Sequence, residues 1–249
     1  MKKFYNNLSH QGKRFFIGFA FIFLSIIFIQ ALELAWHGVQ TFKIRYEAIV
    51  LSYDNINSNF NVLIAGDSIG VGVGASKPEN SISGIFIKNG ASVLNVSYSG
   101  DKTYEVLNQV KNIDSRKHFD LALLFVGGND VLWFRNINEA QNKLRDLIFE
   151  TKKRSDKVVV IPPGNVGLAP MFREPIGIFY TGRARNLSDR FRQVSKEEGV
   201  IYIDTFSNNL AELFQDEPLK YFASDLLHPS SEGYRVWYDK IIREAGIWY

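Results

Sequence analysis

The chain has 249 residues, 46% of them hydrophobic and 22% charged, enough for one α/β domain with a sizeable core and too few for two full domains and a linker. An aromatic share of 14% excludes a disordered chain, and the lack of cysteine excludes disulfide scaffolds, Cys-ligated metal centres and thiol nucleophiles. The formal charge of +3 comes from Lys2, Lys3, Lys13 and Arg14; residues 15–249 carry 25 basic against 26 acidic groups, which excludes the clustered positive face of a nucleic-acid binder.

From Phe15 to Leu32 the chain runs 18 residues without a charge. As a helix that is about 27 Å, close to the thickness of a bilayer core. Trp36 follows at interfacial depth, and the flanking positives all precede the run. This predicts a cytoplasmic segment over 1–14, a transmembrane anchor over 15–35 and an extracytoplasmic remainder. The alternative is a secretory signal cut after Ala31, with Ile29-Gln30-Ala31 as the small-residue site, although the run is longer than an ordinary signal core. Leu32, Trp36, Val39, Tyr46, Val50 and Tyr53 then fall at alternating three- and four-residue spacing with Lys43 interrupting, predicting a helical stalk within a linker over 36–60. The polar cluster Asp54–Asn59 marks the boundary of a domain over 61–249.

Within that domain, short apolar runs at Val62–Ala65, Ser92–Val96, Leu121–Val126, Val158–Ile161 and Val200–Ile203 fit buried parallel strands. Helical patterns separate them, at Ile82/Ile85/Phe86, Val106/Val110/Ile113, Leu144/Leu147/Ile148, Arg183–Glu198 and Glu232–Ala245. The alternation predicts a doubly wound, mostly parallel five-stranded sheet with its chemistry at the carboxyl ends of the strands.

The loop after the first strand reads Gly66-Asp67-Ser68-Ile69-Gly70, a turn that can present a nucleophilic serine. It can equally be a tight turn with an N-capping serine. Gly70-x-Gly72-x-x-Ala75 has the look of a dinucleotide fingerprint, but Asp67 and Ser68 separate it from the strand. A serine needs a base. Of four histidines, His10 precedes the membrane run, His37 abuts it, and His118 lies before the third strand, at the wrong edge of a parallel sheet. His228 remains, and Asp225, three residues earlier, can reach its Nδ1–H and fix the tautomer. Acyl transfer also requires donors for an oxyanion. Asn129 in Gly127-Gly128-Asn129-Asp130 can supply an amide, and Gly100 in Tyr98-Ser99-Gly100-Asp101 lets a backbone N–H approach closely.

These segments resemble the blocks of the SGNH hydrolase superfamily, the GDSL esterases and lipases. Gly66-Asp67-Ser68-Ile69 matches the first block with Ile in place of Leu. Gly100, Gly127-Gly128-Asn129-Asp130 and Asp225-Leu226-Leu227-His228-Pro229 match the later ones. The resemblance implies a flavodoxin-like α/β/α sandwich with Ser68 as nucleophile, His228 as base and Asp225 as its orienter. It also implies an oxyanion hole of Ser68 N–H, Gly100 N–H and the Asn129 side chain, and an ester substrate. No metal or organic cofactor is expected.

Asp67, Trp133 and Phe172 are expected on the substrate side. Phe134, Phe179 and Tyr180 either line an acyl pocket with them or pack in the ordinary way. Acyl esters, lysophospholipids and O-acetylated glycans all fit a domain outside the membrane; a rival expectation is an inactive hydrolase fold serving as a tethered scaffold.

Overall fold

The computed structural model describes residues 9–206 and 208–247. Residues 1–8, with Lys2 and Lys3, lie outside the described residues. The first element, α1 (His10–Glu47), is one unbroken helix of 38 residues. Ser9 caps it, accepting the Gly12 N–H at 3.2 Å. No residue of the apolar stretch is buried against the rest of the protein. Beyond Glu47 the chain is extended, so the predicted stalk stops two turns short of Tyr53. Tyr53 instead exchanges backbone hydrogen bonds with Val93 at 2.9 and 2.8 Å. An edge strand leaves a row of N–H and C=O groups that a helix cannot satisfy, and the extended segment covers them.

The strands are β1 (Asn61–Gly66), β2 (Ser92–Asn95), β3 (Phe119–Phe125), β4 (Ser155–Ile161) and β5 (Ile201–Tyr202), all parallel in the order β2-β1-β3-β4-β5. Successive side chains point to opposite faces, so Val62 and Ile64 join one apolar core while Leu63 and Ala65 join the other. The first core is closed by α3 (Ile82–Lys88), α8 (Asn208–Asp216), α9 (Pro218–Tyr221) and α10 (Ser231–Ala245). The second is closed by α4 (Thr103–Lys111), α6 (Ile137–Lys152) and α7 (Ile176–Glu197). This is the expected flavodoxin-like three-layer sandwich. Two single-turn helices, α2 (Ser68–Val71) and α5 (Gly128–Leu132), begin directly beyond β1 and β3. Because β1 and β3 are neighbours with crossovers leaving in opposite directions, a crevice opens at their carboxyl ends.

Helix α7 starts at Ile176, seven residues before the predicted Arg183. Gly167 explains the seating of the loop ahead of it: a Cβ there would collide with the Gly177 carbonyl and the Thr181 side chain. The loop lies flush on the first turns of α7, so Phe179 and Tyr180 become helical.

Candidate active site

Ser68 opens α2 at the end of β1. The preceding residue caps the helix: the Asp67 carboxylate accepts the Ile69 N–H at 3.0 Å and is 4% exposed. Burial pushes the Asp67 carboxyl up to about 7 against the pull of the Ile69 N–H and of His228. Gly66 has no room for a side chain, since a Cβ would lie 2.6 Å from the Phe125 carbonyl oxygen of β3. The strand-to-helix turn can therefore press against β3 and lift Ser68 into the crevice.

The histidine arrives from the segment between α9 and α10. Leu226 takes a left-handed φ of 57°, and Asp225 Oδ1 accepts the N–H groups of Leu227 and His228 at 3.1 and 3.0 Å. The Phe222–Pro229 bridge and the cap that Ser230 provides for α10 pin the segment on both sides. Within this turn His228 Nδ1 lies 2.6 Å from Asp225 Oδ2, and its Nε2 lies 2.8 Å from Ser68 Oγ. Burial tends to raise the Asp225 carboxyl, but its hydrogen bonds with His228 and the backbone outweigh this and hold it below the usual carboxylate range. An ionised carboxylate only accepts, so Nδ1 carries the proton and Nε2 presents its lone pair to the serine hydroxyl.

Asn129 stands in the first turn of α5, beyond β3. One N–H of its amide donates to the Asp101 carbonyl at 3.1 Å, leaving the second free to point into the crevice. Gly100 has φ 99°, a conformation that favours glycine. Among the described residues neither the Ser68 nor the Gly100 N–H donates to a protein acceptor. Two side chains that sequence reasoning missed lock these loops together. Asp130 accepts both the N–H and the hydroxyl of Thr103, at 3.0 and 2.8 Å, tying α5 to the start of α4; burial raises its carboxyl. Gln109 spans β1 and the Gly100 loop, donating to Gly66 O at 2.9 Å and to Asp101 Oδ2 at 2.7 Å.

The crevice widens into a cleft of about 520 Å³ with Ser68 and His228 on its floor. Leu132, Trp133, Leu168, Met171, Phe172 and Phe214 make its walls largely apolar. Trp133 and Phe172 border this cleft, and Tyr180 joins them, packed on Phe172 with ring centroids 4.6 Å apart. Phe134 and Phe179 are not among the lining residues and pack around Tyr180 instead. Asp67 lies at the floor with one carboxylate oxygen turned to its own helix. A further wall was not foreseen: Leu34, Gly38, Thr41 and Arg45 of α1 border the cleft. Among the described residues no group of three or more His, Asp or Glu side chains is placed to hold a metal.

Fold and site together define a class, the α/β hydrolytic enzymes that bring a serine, a histidine and an aspartate to the carboxyl edge of a five-stranded parallel sheet. Residues 64–236 match the model of the GDSL-like lipase/acylhydrolase family, and the chain belongs to that family. It is an ester-hydrolysing enzyme. Similar solved structures include an acetylxylan esterase from Geobacillus stearothermophilus, 20% identical with a TM-score of 0.56, over 78% of this chain and 97% of that one. A lipase/acylhydrolase from Enterococcus faecalis is 22% identical with a TM-score of 0.58, over 75% of this chain and 96% of that one. At such identities the likeness speaks for the fold. No curated protein matches the sequence significantly.

Proposed function

We propose that the chain is a membrane-anchored serine esterase that cleaves apolar acyl esters, lysophospholipids among them, on the outer side of the cytoplasmic membrane. The observation that carries the chemistry is the unbroken run of contacts from Asp225 through His228 to Ser68, at 2.6 and 2.8 Å, on the floor of an apolar cleft. Structures of the acetylxylan esterase include catalytic mutants at a serine, an aspartate and a histidine, the same three residue types.

In this reading His228 Nε2 takes the hydroxyl proton as Ser68 Oγ attacks the ester carbonyl carbon. The negative charge gathers on the former carbonyl oxygen, facing Ser68 N–H, Gly100 N–H and the free N–H of Asn129. Collapse breaks the bond to the alcohol oxygen, which leaves with the proton from His228. A water then attacks the acyl-enzyme and gives its proton to His228, and the acid departs as that proton returns to Ser68.

The anchor reading rests on α1. No residue of its apolar stretch is buried, and of the basic residues flanking that stretch Lys13 and Arg14 stand at its amino end. Thr41 stands nine residues beyond Leu32 in the same helix, about 14 Å along its axis, and borders the cleft. An amphiphile seated in the outer leaflet is within reach of a site at that height.

The test is a substrate panel with the full chain in detergent and in vesicles. Butyrate and octanoate esters and lysophosphatidylcholine should be cleaved faster than acetylated xylose. Preference for the acetylated sugar would overturn the substrate reading. For topology, a periplasmic reporter fused after residue 60 should be active and one fused after residue 12 silent; the reverse pattern would overturn the orientation.

A further inference from the structure

The Asp225 carboxylate is completely buried, and one of its partners comes from outside the sandwich. Oδ1 accepts the two N–H groups of its own turn. Oδ2 accepts from His228 Nδ1 at 2.6 Å and from the hydroxyl of Thr41 in α1 at 2.9 Å. A carboxylate offers about four lone-pair positions; three are filled from within the Asp225–His228 turn and the fourth by a residue 184 positions earlier in the chain. Thr41 Oγ1 also lies 3.0 Å from the His37 carbonyl oxygen. It has a single proton, and the ionised carboxylate is the stronger acceptor.

Neighbouring contacts hold α1 in place. One turn beyond Thr41, Arg45 Nη2 donates to the Ser99 carbonyl at 2.9 Å, in the loop that carries Gly100. Two turns before it, Glu33 pairs with Arg173 Nε at 3.0 Å, in the segment leading to α7. Glu33, Thr41 and Arg45 thus reach three different segments around the cleft.

We infer that Thr41 is a positioning residue: its hydroxyl occupies the last acceptor site of Asp225 and fixes the carboxylate so that Oδ2 faces His228 Nδ1. The extramembrane end of the anchor helix is then a working part of the active site, rather than a tether. The inference rests on reading Ser68, His228 and Asp225 as a triad. Without the hydroxyl, a buried lone pair is unsatisfied and the carboxylate is free to turn away from the imidazole. The loss falls on proton transfer, and a substitution that keeps the bulk of Thr41 preserves the part of the cleft wall it forms.

Valine keeps the shape and methyl of threonine without the hydroxyl, whereas serine keeps the hydroxyl without the methyl. The test measures kcat and KM on p-nitrophenyl butyrate, and the rate of fluorophosphonate labelling, for the full-length wild type, Thr41→Val and Thr41→Ser in detergent. Thr41→Val should lower kcat and the labelling rate together by about tenfold with KM within about twofold, and Thr41→Ser should stay within about twofold of wild type. The opposite order, or equal losses in both, would make Thr41 a packing residue and overturn the inference. A wild type labelled at Ser68 beside a Thr41→Val that matches it would overturn this inference alone; a wild type that does not label would overturn the triad and this inference with it.

Discussion

Two histidine–aspartate pairs sit at opposite edges of the same sheet. His118 Nε2 meets Asp156 Oδ1 at 2.8 Å at the amino ends of β3 and β4, with side chains 58% and 68% exposed. His228 Nδ1 meets Asp225 Oδ2 at 2.6 Å beyond the carboxyl ends of the strands, with side chains 8% and 0% exposed. The distances are nearly alike, and the surroundings are not. Around the first pair, water screens the attraction and competes for every hydrogen bond. Around the second, the low dielectric strengthens the attraction and makes any unmet acceptor costly. The imidazole of the second pair also has a serine on its other nitrogen, which His118 lacks among the described residues. A histidine–aspartate contact becomes a base only where the topology supplies burial and a nucleophile.

The largest effect that can sharpen this contrast is at the buried end. Ser68→Ala should reduce p-nitrophenyl ester hydrolysis by about 10³-fold or more, with a melting temperature near wild type. His228→Asn should lose as much, since the hydroxyl then has no base; rates near wild type in either folded variant would break the comparison. Next comes the oxyanion side. Asn129→Ala should lower kcat by roughly 10²-fold with KM little changed, because the charge it faces exists only in the transition state. A destabilised variant with normal kcat would mark Asn129 as a turn residue instead.

Smaller effects separate burial from pairing. The Asp67 carboxyl is held near 7, far above its ordinary 3.8, by burial. A carboxyl raised on folding contributes stability that is full below about pH 4 and is lost as pH climbs through 7. Asp67→Asn lacks this titration, so its melting temperature should fall less between pH 5 and pH 8 than that of wild type, as thermal denaturation at both pH values would read. The smallest effect belongs to the exposed pair. His118→Asn should leave kcat/KM within about twofold and the melting temperature within about 2 °C.

The parallel sheet was legible because strands buried on both faces read as continuous apolar runs, and Val62–Ala65 and Leu121–Val126 are such runs. The histidine proposed as the base was singled out by elimination, as the other three lay in or near the long apolar helix or at the wrong edge. The Thr103–Asp130 and Gln109–Gly66 ties were not legible, because contacts between elements far apart in the chain leave no local spacing to read. The docked face of α1 left a signal that the apolar stripe obscured. Trp36, Val39 and Tyr46, whose spacing predicted the helical stalk, are on the exposed side. Glu33, His37, Thr41 and Arg45 recur every four residues, and Thr41 and Arg45 of that stripe border the cleft. A polar stripe on a long apolar helix reads as a solvated face, and only the fold shows that Thr41 within it meets Asp225. The end of the stalk at Glu47 was hidden for the same reason, since Tyr53 is drawn into extended structure by the distant edge of β2.

The most direct test of the central claim, that burial and topology have made Ser68 the activated nucleophile of this chain, is mass-spectrometric mapping of a fluorophosphonate adduct on the folded full-length protein. The account predicts one modified residue, Ser68, with labelling abolished in His228→Asn and unchanged in His118→Asn. An adduct on another residue, or labelling of Ser68 that survives loss of His228, would contradict it.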